Sequence, residues 1–267
     1  MCYNWDSQSN NHMDHWRKNM SGHSKWSTIK HKKAATDAKR GKVFTRIAKE
    51  ITISARSGGG DPETNNSLRL LVSKAKAANM PKDNIEKAIK RGTGELEGGE
   101  LIEAMYEVYA PHGVGLLVEV VTDNRNRAIA DLRHNVSKYG GNMADSGSVA
   151  WQFTRKGYIG ITQEVDEDDL FLIAADAGAE DVEFGEITEI FVELDEFQNV
   201  QLALEEAGVS MDEANVIYDP NVAIELTQDD ALQVMGLIEK IEDLDDVQNV
   251  YSNLDVTDEA IAALEGA

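Results

Sequence analysis

Cysteine is almost absent, since Cys2 is the one cysteine among 267 residues. A lone cysteine cannot close an intrachain disulfide, which excludes a disulfide-stabilised scaffold and is typical of a reducing compartment. Long apolar runs are also missing, and no stretch approaches the roughly 20 residues that a membrane-spanning helix needs. The sequence therefore predicts a cytoplasmic protein with no membrane partner.

Positive charge is scarce after residue 92. Residues 93–267 contain 7 Lys and Arg against 40 Asp and Glu, whereas residues 1–92 contain 19 against 8. The two parts carry +11 and −33 within a formal net charge of −22. Such asymmetry is typical of a polyanion-binding module attached to an acidic body. Because charges are screened over about 8 Å at physiological salt, the basic part would act locally.

Motifs of catalysis and of metal or cofactor binding are not found. The sequence has no nucleophile elbow, no HExxH and no CxxC. The glycine-rich stretch 138–148 matches no phosphate-binding loop and favours a tight connection, with a backbone anion nest as the weaker alternative. The acidic runs 164–169 and 242–246 are interpreted as helix starts and solvated turns. We therefore predict no enzyme, no metal and no cofactor, with a metal-dependent nuclease as the disfavoured alternative.

The basic charge is concentrated before and inside the first predicted helix. Residues 22–42 read GHSKWSTIKHKKAATDAKRGK and include nine Lys, Arg or His. From Lys42 onward, apolar residues recur at helical spacing and the cations fall on the opposite side. Such a face suits phosphate binding, which releases counterions, although a merely solvated face is the alternative. The basic residues that we expect to contact nucleic acid are Lys25, Lys30, Lys32, Lys33, Lys39, Arg40, Lys42, Arg46 and Lys49.

A second basic patch follows the predicted strand that ends near residue 123. The run DNRNR (123–127) places Asp123 as a plausible N-cap and puts Arg125 and Arg127 in the first turn of a helix. Cations at that end oppose the helix dipole. Either an anionic partner or pairing with nearby carboxylates would compensate for this. We expect Arg125 and Arg127 to form a possible second nucleic-acid contact.

The periodicity divides the chain into helical and mixed parts. Three amphipathic helices end near residue 95, and strand patterns begin near residue 105. Segment 157–218 follows the β-α-β-β-α-β order of a ferredoxin-like unit. Further strands are predicted at 148–154 and 221–226. The predicted domains are a disordered leader (1–19), a basic helical domain (20–95), a discontinuous α/β domain (100–155 plus 220–267) and an inserted ferredoxin-like α/β domain (156–219).

The expected fold class is α+β with three domains. An all-α three-helix domain is followed by two α/β domains of ferredoxin-like type, the last one inserted in the middle one. Five stretches of the sequence, GHSKWSTIKHKKAATDAKRGKVFTRIAKEI, SGGGDPETNNSLR, NMPKDNIEKAIKRGTG, YEVYAPHGVGLLVEVVTDNRNRAIADLRH and GGNMADSGSVAWQF, closely resemble the YebC/PmpR family. Its members are described as probable transcriptional regulators, and mitochondrial relatives act as translational activators. The resemblance implies three domains around a cleft, with no catalytic site to transfer.

The function that we expect is nucleic-acid-binding regulation of gene expression, with promoter DNA as the partner and transcription as the process. Lysine dominates the basic face, which favours phosphate contact over base reading and keeps ribosomal RNA, the ribosome and translation as a close alternative. The third class of function that we consider is an adaptor that binds only protein. A monomer is expected.

Overall fold

The computed structural model describes residues 37–97 and 99–256. Within these ranges the chain forms helices followed by two antiparallel sheets, as predicted for an α+β fold. In chain order the elements are α1 (Asp37–Gly58), α2 (Asn66–Ala77), α3 (Lys82–Gly92), β1 (Ile102–Tyr109), β2 (Gly115–Thr122), α4 (Arg125–Lys138), β3 (Asn142–Met143), β4 (Phe153–Ile161), α5 (Glu167–Asp176), β5 (Ala179–Glu183), β6 (Thr188–Val192), α6 (Phe197–Glu206), β7 (Glu213–Pro220), α7 (Gln228–Glu242) and β8 (Val247–Ser252). None of the helices in the described residues is long and apolar enough to cross a membrane.

Helices α1, α2 and α3 form the helical unit. Their apolar stripes converge on a core in which Ile51 and Leu68 are fully buried. Asn65 caps α2, since its side chain accepts the backbone N–H of Leu68. The same amide donates to the carbonyls of Ser54 and Gly59, so one buried side chain joins the end of α1 to the start of α2.

The end of α3 packs directly on the backbone of α1 at Gly92. A Cβ placed on this glycine would lie 2.7 Å from the Cβ of Ala55 and closer still to the carbonyl oxygen of Thr52. The hydroxyl of Thr52 in turn donates to the carbonyl of Ala88 at 3.1 Å. The two helices therefore approach at a distance that only glycine permits.

Gly92→Ala is expected to destabilise the helical unit by about 1–3 kcal/mol, because the added methyl group forces α1 and α3 apart. Chemical denaturation measures the loss. Gly41→Ala is the matched control, since Gly41 also lies in a helix but has nothing within 4 Å of the position that a methyl group would take. That change should stabilise the protein by up to about 1 kcal/mol through helix propensity. Equal effects of the two changes would contradict the packing argument.

The first sheet unit combines β1, β2, β3 and β8 with helices α4 and α7. The strand order is β3-β1-β2-β8, so β8 pairs with β2 although more than 120 residues separate them in the chain. Strand β2 is buried along almost its whole length. Leu116 packs among the helices on one face of the sheet, and Leu117 packs against the second sheet on the other face. This explains why the apolar residues of β2 run continuously instead of alternating.

The second sheet unit consists of β4 to β7 with helices α5 and α6. Its strand order is β5-β6-β4-β7 with all neighbours antiparallel, and its elements follow one another in the β-α-β-β-α-β order predicted for segment 157–218. The two sheet units meet through an apolar cluster. The residues of that cluster are Leu117, Val149, Phe153, Tyr158, Phe191, Ile217 and Tyr251.

Two of the predicted strands are wrong. Residues 148–152 form a bend and a 3₁₀ turn (Ala150–Gln152), and the chain then continues as one strand, β4, instead of two. The segment 221–226 contributes only an isolated bridge between Ile224 and Leu254. In the first case, the backbone amides that a strand would pair are bound instead to a buried carboxylate, described below. The predicted domain boundaries stay predictions, and the leader at 1–19 lies outside the described residues.

Candidate nucleic-acid interface

The polar face of α1 lies against an acidic segment that is distant in sequence. This segment, residues 242–246 (EDLDD), begins at the last residue of α7 and is named the acidic turn here. The ammonium group of Lys42 donates to the carbonyl oxygen of Asp243 at 2.7 Å and lies 3.4 Å from its carboxylate. The guanidinium of Arg46 donates to the carbonyl of Glu242 at 3.2 Å. The acidic turn is therefore not the solvated turn that the sequence predicts.

Lys49 is the most enclosed cation of this contact. Its ammonium group donates to the carbonyls of Val121 and Asp245 and to the carboxylate of Asp246, each at 2.8 Å. The side chains of Lys49 and Asp246 are only 13% and 12% exposed. Three oxygens thus surround one charge, an arrangement that compensates for its burial.

Asp246 links α1 to the start of α4. Its second carboxylate oxygen accepts hydrogen bonds from Arg127, the shorter at 2.8 Å. Burial by itself would raise the pKa of Asp246, but the hydrogen bonds from Lys49 and Arg127 outweigh burial and lower it. Asp246 is therefore ionised at neutral pH and holds two cations from different units.

The first turn of α4 differs from its predicted form. Asn124 caps the helix by accepting the N–H of Arg127, so the predicted N-cap at Asp123 is wrong. The carboxylate of Asp123 binds the Arg127 guanidinium instead, at 2.9 Å. Of the two alternatives for this patch, Arg127 therefore shows pairing with nearby carboxylates of the protein itself. Arg125 is exposed and donates to the hydroxyl of Tyr106 at 3.4 Å.

The other predicted contact residues are placed only in part. Lys25, Lys30, Lys32 and Lys33 lie outside the described residues. Lys39 and Arg40 belong to the helical backbone of α1, and their side chains are outside the description. The structure thus brings Lys42, Arg46, Lys49 and Arg127 together around the acidic turn, and nucleic-acid binding by all eleven residues stays a prediction.

Further cations of the helical unit also bind the sheet units. Arg56 pairs with Glu103 and donates to the carbonyl of Leu101 at 2.8 Å. Arg69 pairs with Glu205 in the second sheet unit. Much of the positive charge that the sequence assigns to a partner therefore holds the protein together.

Lys74 makes a similar bridge. Its ammonium group lies 2.9 Å from the carboxylate of Glu213 in the second sheet unit and 3.7 Å from that of Glu50. Ion pairs thus join the helical unit to both sheet units, with Leu70 of α2 also packing against the core of the second one, whereas the sheet units are joined to each other through apolar side chains. The two kinds of junction should respond differently to salt, because screening weakens ion pairs and not apolar contacts.

A cluster of exposed cations on α2 and α3 was not predicted from the sequence. Lys76, Lys87, Lys90 and Arg91 are exposed, and no carboxylate in the described part of the chain lies within ion-pair distance of them. Positions 87, 90 and 91 avoid the buried stripe of α3 at Ile85 and Ala88. Their i, i+3, i+4 spacing was the signal that could have identified them.

A cleft of about 880 Å³ opens between the helical unit and the first sheet unit. Cations line it from three helices, namely Lys42 and Lys49 of α1, Arg91 of α3 and Arg127 of α4. The carboxylates of Asp123, Asp131, Asp243, Asp245 and Asp246 line the same cleft. Positive and negative groups thus line the same cleft, and several of them are in direct contact.

The glycine-rich connection before β4 does form an anion nest, and its occupant is internal. The buried carboxylate of Glu107 accepts backbone N–H groups from Gly147 and Val149 at 2.6 Å and from Ala150 at 2.9 Å. Burial alone would raise the pKa of Glu107, but these N–H donors reverse the effect and lower it. This contact fixes the connection between the two sheet units and explains the missing strand at 148–152.

Comparison with known proteins gives consistent matches. Residues 24–95 match the family model described as the TACO1/YebC protein N-terminal domain, and residues 101–254 match the TACO1/YebC second and third domain. A probable transcriptional regulatory protein from Desulfatibacillum aliphaticivorans is 53% identical over 91% of this chain and 99% of the relative. One from Acidithiobacillus ferrooxidans is 52% identical over 92% of this chain and 99% of the relative. The crystal structure of the conserved hypothetical protein Aq1575 from Aquifex aeolicus is similar with a TM-score of 0.78 and 44% identity, covering 86% of this chain and 96% of that one.

Proposed function

We propose that this chain, which belongs to the TACO1/YebC family, regulates transcription by binding DNA through its helical unit and the basic residues that precede it. Relatives about half identical over most of the chain carry the name of probable transcriptional regulatory proteins, and this supports a regulatory role. The names of these relatives describe regulators and no enzyme class, so we propose that the chain has no catalytic activity. The proposal places the protein in the cytoplasm as a monomer.

The observation that carries the proposal is the distribution of positive charge. Lys76, Lys87, Lys90 and Arg91 are exposed without a carboxylate partner among the described residues. The segment 22–40 adds further Lys and Arg before α1 and at its start. A surface of this kind attracts the phosphates of a nucleic acid whatever its base sequence, since every neutralised phosphate releases a counterion.

Binding should therefore depend steeply on salt. The association constant for a labelled DNA duplex is measured by fluorescence anisotropy between about 50 and 200 mM salt. We expect its logarithm to fall linearly with the logarithm of the salt concentration, with a slope of about −0.9 per phosphate contacted. Lys30→Glu/Lys32→Glu/Lys33→Glu should make that slope shallower by about 3 and weaken binding at least about tenfold.

Arg133→Glu/Lys138→Glu/Arg155→Glu is the matched control, because it makes the same change in charge at exposed positions of the two sheet units. We expect this control to bind nearly as the parent protein does. Affinity that is independent of salt, or an equal loss in both variants, would contradict the proposed contact. If no nucleic acid binds with an affinity that depends on salt, an adaptor that binds only protein becomes the supported function.

Binding to ribosomal RNA, and hence regulation of translation, is the second candidate. It is favoured by the lysines that dominate the exposed charge of α3, since lysine contacts phosphates and does not read base edges as a bidentate arginine does. Competition in the same anisotropy assay separates the two candidates. Displacement of the duplex by a structured RNA at lower concentration than by unlabelled promoter DNA would favour translation, and the reverse would favour transcription.

A further inference from the structure

The acidic turn presents a short run of acceptor oxygens to the cations of α1. Four of its five residues are acids, and it begins at the C-terminal residue of α7, where the helix dipole adds partial negative charge. Its contacts to α1 use main-chain carbonyls as well as carboxylates, from Glu242, Asp243, Asp245 and Asp246. These oxygens follow one another along the turn, as phosphate oxygens follow one another along a nucleic-acid strand.

The cations that meet this turn are three of those that the sequence assigns to nucleic acid. Lys42, Arg46 and Lys49 are spaced by four and three residues, so they form one row along α1. Arg127 extends the row from the neighbouring helix α4. A phosphate backbone and the acidic turn therefore need the same donors, and both cannot bind them at the same time.

The contact has the properties of one that can be displaced. It borders the cleft, and the outer pair, Lys42 and Asp243, is about half exposed on both sides, so it contributes little to stability. The helical unit is held to the first sheet unit mainly by ions, whereas the two sheet units share an apolar junction. A polyanion can therefore compete for α1 while the sheet units stay together.

We infer that the acidic turn is an intramolecular competitor of nucleic acid, which covers the row of Lys42, Arg46, Lys49 and Arg127 until a phosphate backbone displaces it. This inference rests on the proposed function and adds a regulated step to it. The exposed cations of α3 make the first contact together with the Lys and Arg that precede α1 in the sequence, and the covered row then joins the interface as the helical unit moves off the turn. Weak non-specific ligands that do not reach the row would be rejected.

The test neutralises the turn and leaves its main chain intact. Asp243→Asn/Asp245→Asn/Asp246→Asn in the full chain should bind a labelled DNA duplex or structured RNA at least about fivefold more tightly than the parent, the lower end of typical coupling between sites. Glu193→Gln/Asp195→Asn/Glu206→Gln makes the same change in charge at exposed positions of the second sheet unit. It should change affinity much less, because charges beyond a Debye length are screened.

A second measurement keeps the native turn. Spin labels at Thr45→Cys on α1 and Asp229→Cys on α7, in a Cys2→Ser background, report the distance between the helical and first sheet units. Addition of the nucleic acid should shift the distance distribution to longer values. The inference is overturned if both charge variants bind with the same affinity and the label distance does not change. If the parent still binds tightly and in a salt-dependent way, the proposed function stands. If no nucleic acid binds the parent or the variants, the proposed function fails and the inference fails with it.

Discussion

Lys49→Met is expected to lower the free energy of unfolding by about 2–4 kcal/mol, because it removes the donor from three oxygens, two of which are partly buried. Those oxygens belong to Val121, Asp245 and Asp246, and each lies 2.8 Å from the lysine ammonium group. Methionine keeps the length and apolar character of the side chain, so the change isolates the loss of charge and hydrogen bonds. Urea denaturation measures the loss, and hydrogen exchange should show faster opening of α1.

Lys42→Met is the matched control for this prediction. Its side chain and that of Asp243 are 49% and 46% exposed, so the pair should contribute no more than about 1 kcal/mol. Equal losses in the two variants would show that enclosure of Lys49 has no energetic consequence.

The contact of Lys49 should also weaken in acid. The pKa of Asp246 is lowered in the folded protein, so its contribution is complete above the unfolded pKa of about 3.9 and is lost as the pH falls through the folded value. The difference between Lys49→Met and the parent should therefore shrink below about pH 4.

Glu107→Gln is the second change with a large expected effect, a destabilisation of about 2–4 kcal/mol. The carboxylate accepts N–H groups from Gly147, Val149 and Ala150, two of them at 2.6 Å. Glutamine fits the same space but has one acceptor oxygen, and its amide N–H₂ would face backbone donors. Thermal or chemical denaturation at neutral pH measures the loss.

The pH dependence identifies the cause. Since the pKa of Glu107 is lowered in the folded protein, its stabilisation is present above the unfolded pKa of about 4.3 and is lost as the pH falls through the folded value. Parent and Glu107→Gln should therefore converge in acid. Glu103→Gln, at an exposed neighbour on the same strand whose side chain is 46% exposed, should cost no more than about 1 kcal/mol at any pH. A constant difference between parent and Glu107→Gln down to low pH would contradict the role of the charge.

Local patterns predict most of the elements correctly, because the physics that forms them is local. The helical spacing of apolar residues after Lys42 is enough to predict α1, and Asn65 is recognisable as a cap because capping involves residues three positions apart. The β-α-β-β-α-β order of the second sheet unit follows from alternating periods along one continuous segment. The prediction fails at 148–152, where the backbone amides bind Glu107, some 40 residues earlier in the chain.

The sequence by itself determined that positive charge is gathered at one end and that Lys42, Arg46 and Lys49 share one side of α1. A helical pattern defines which residues share a face, but it contains nothing about what lies opposite that face. Only the tertiary structure decided this, by bringing residues 242–246 within hydrogen-bond distance of cations about 200 positions earlier. The reason is physical: an enclosed ammonium group is bound by whichever oxygens the fold places next to it, and here these oxygens come from the protein's own acidic turn.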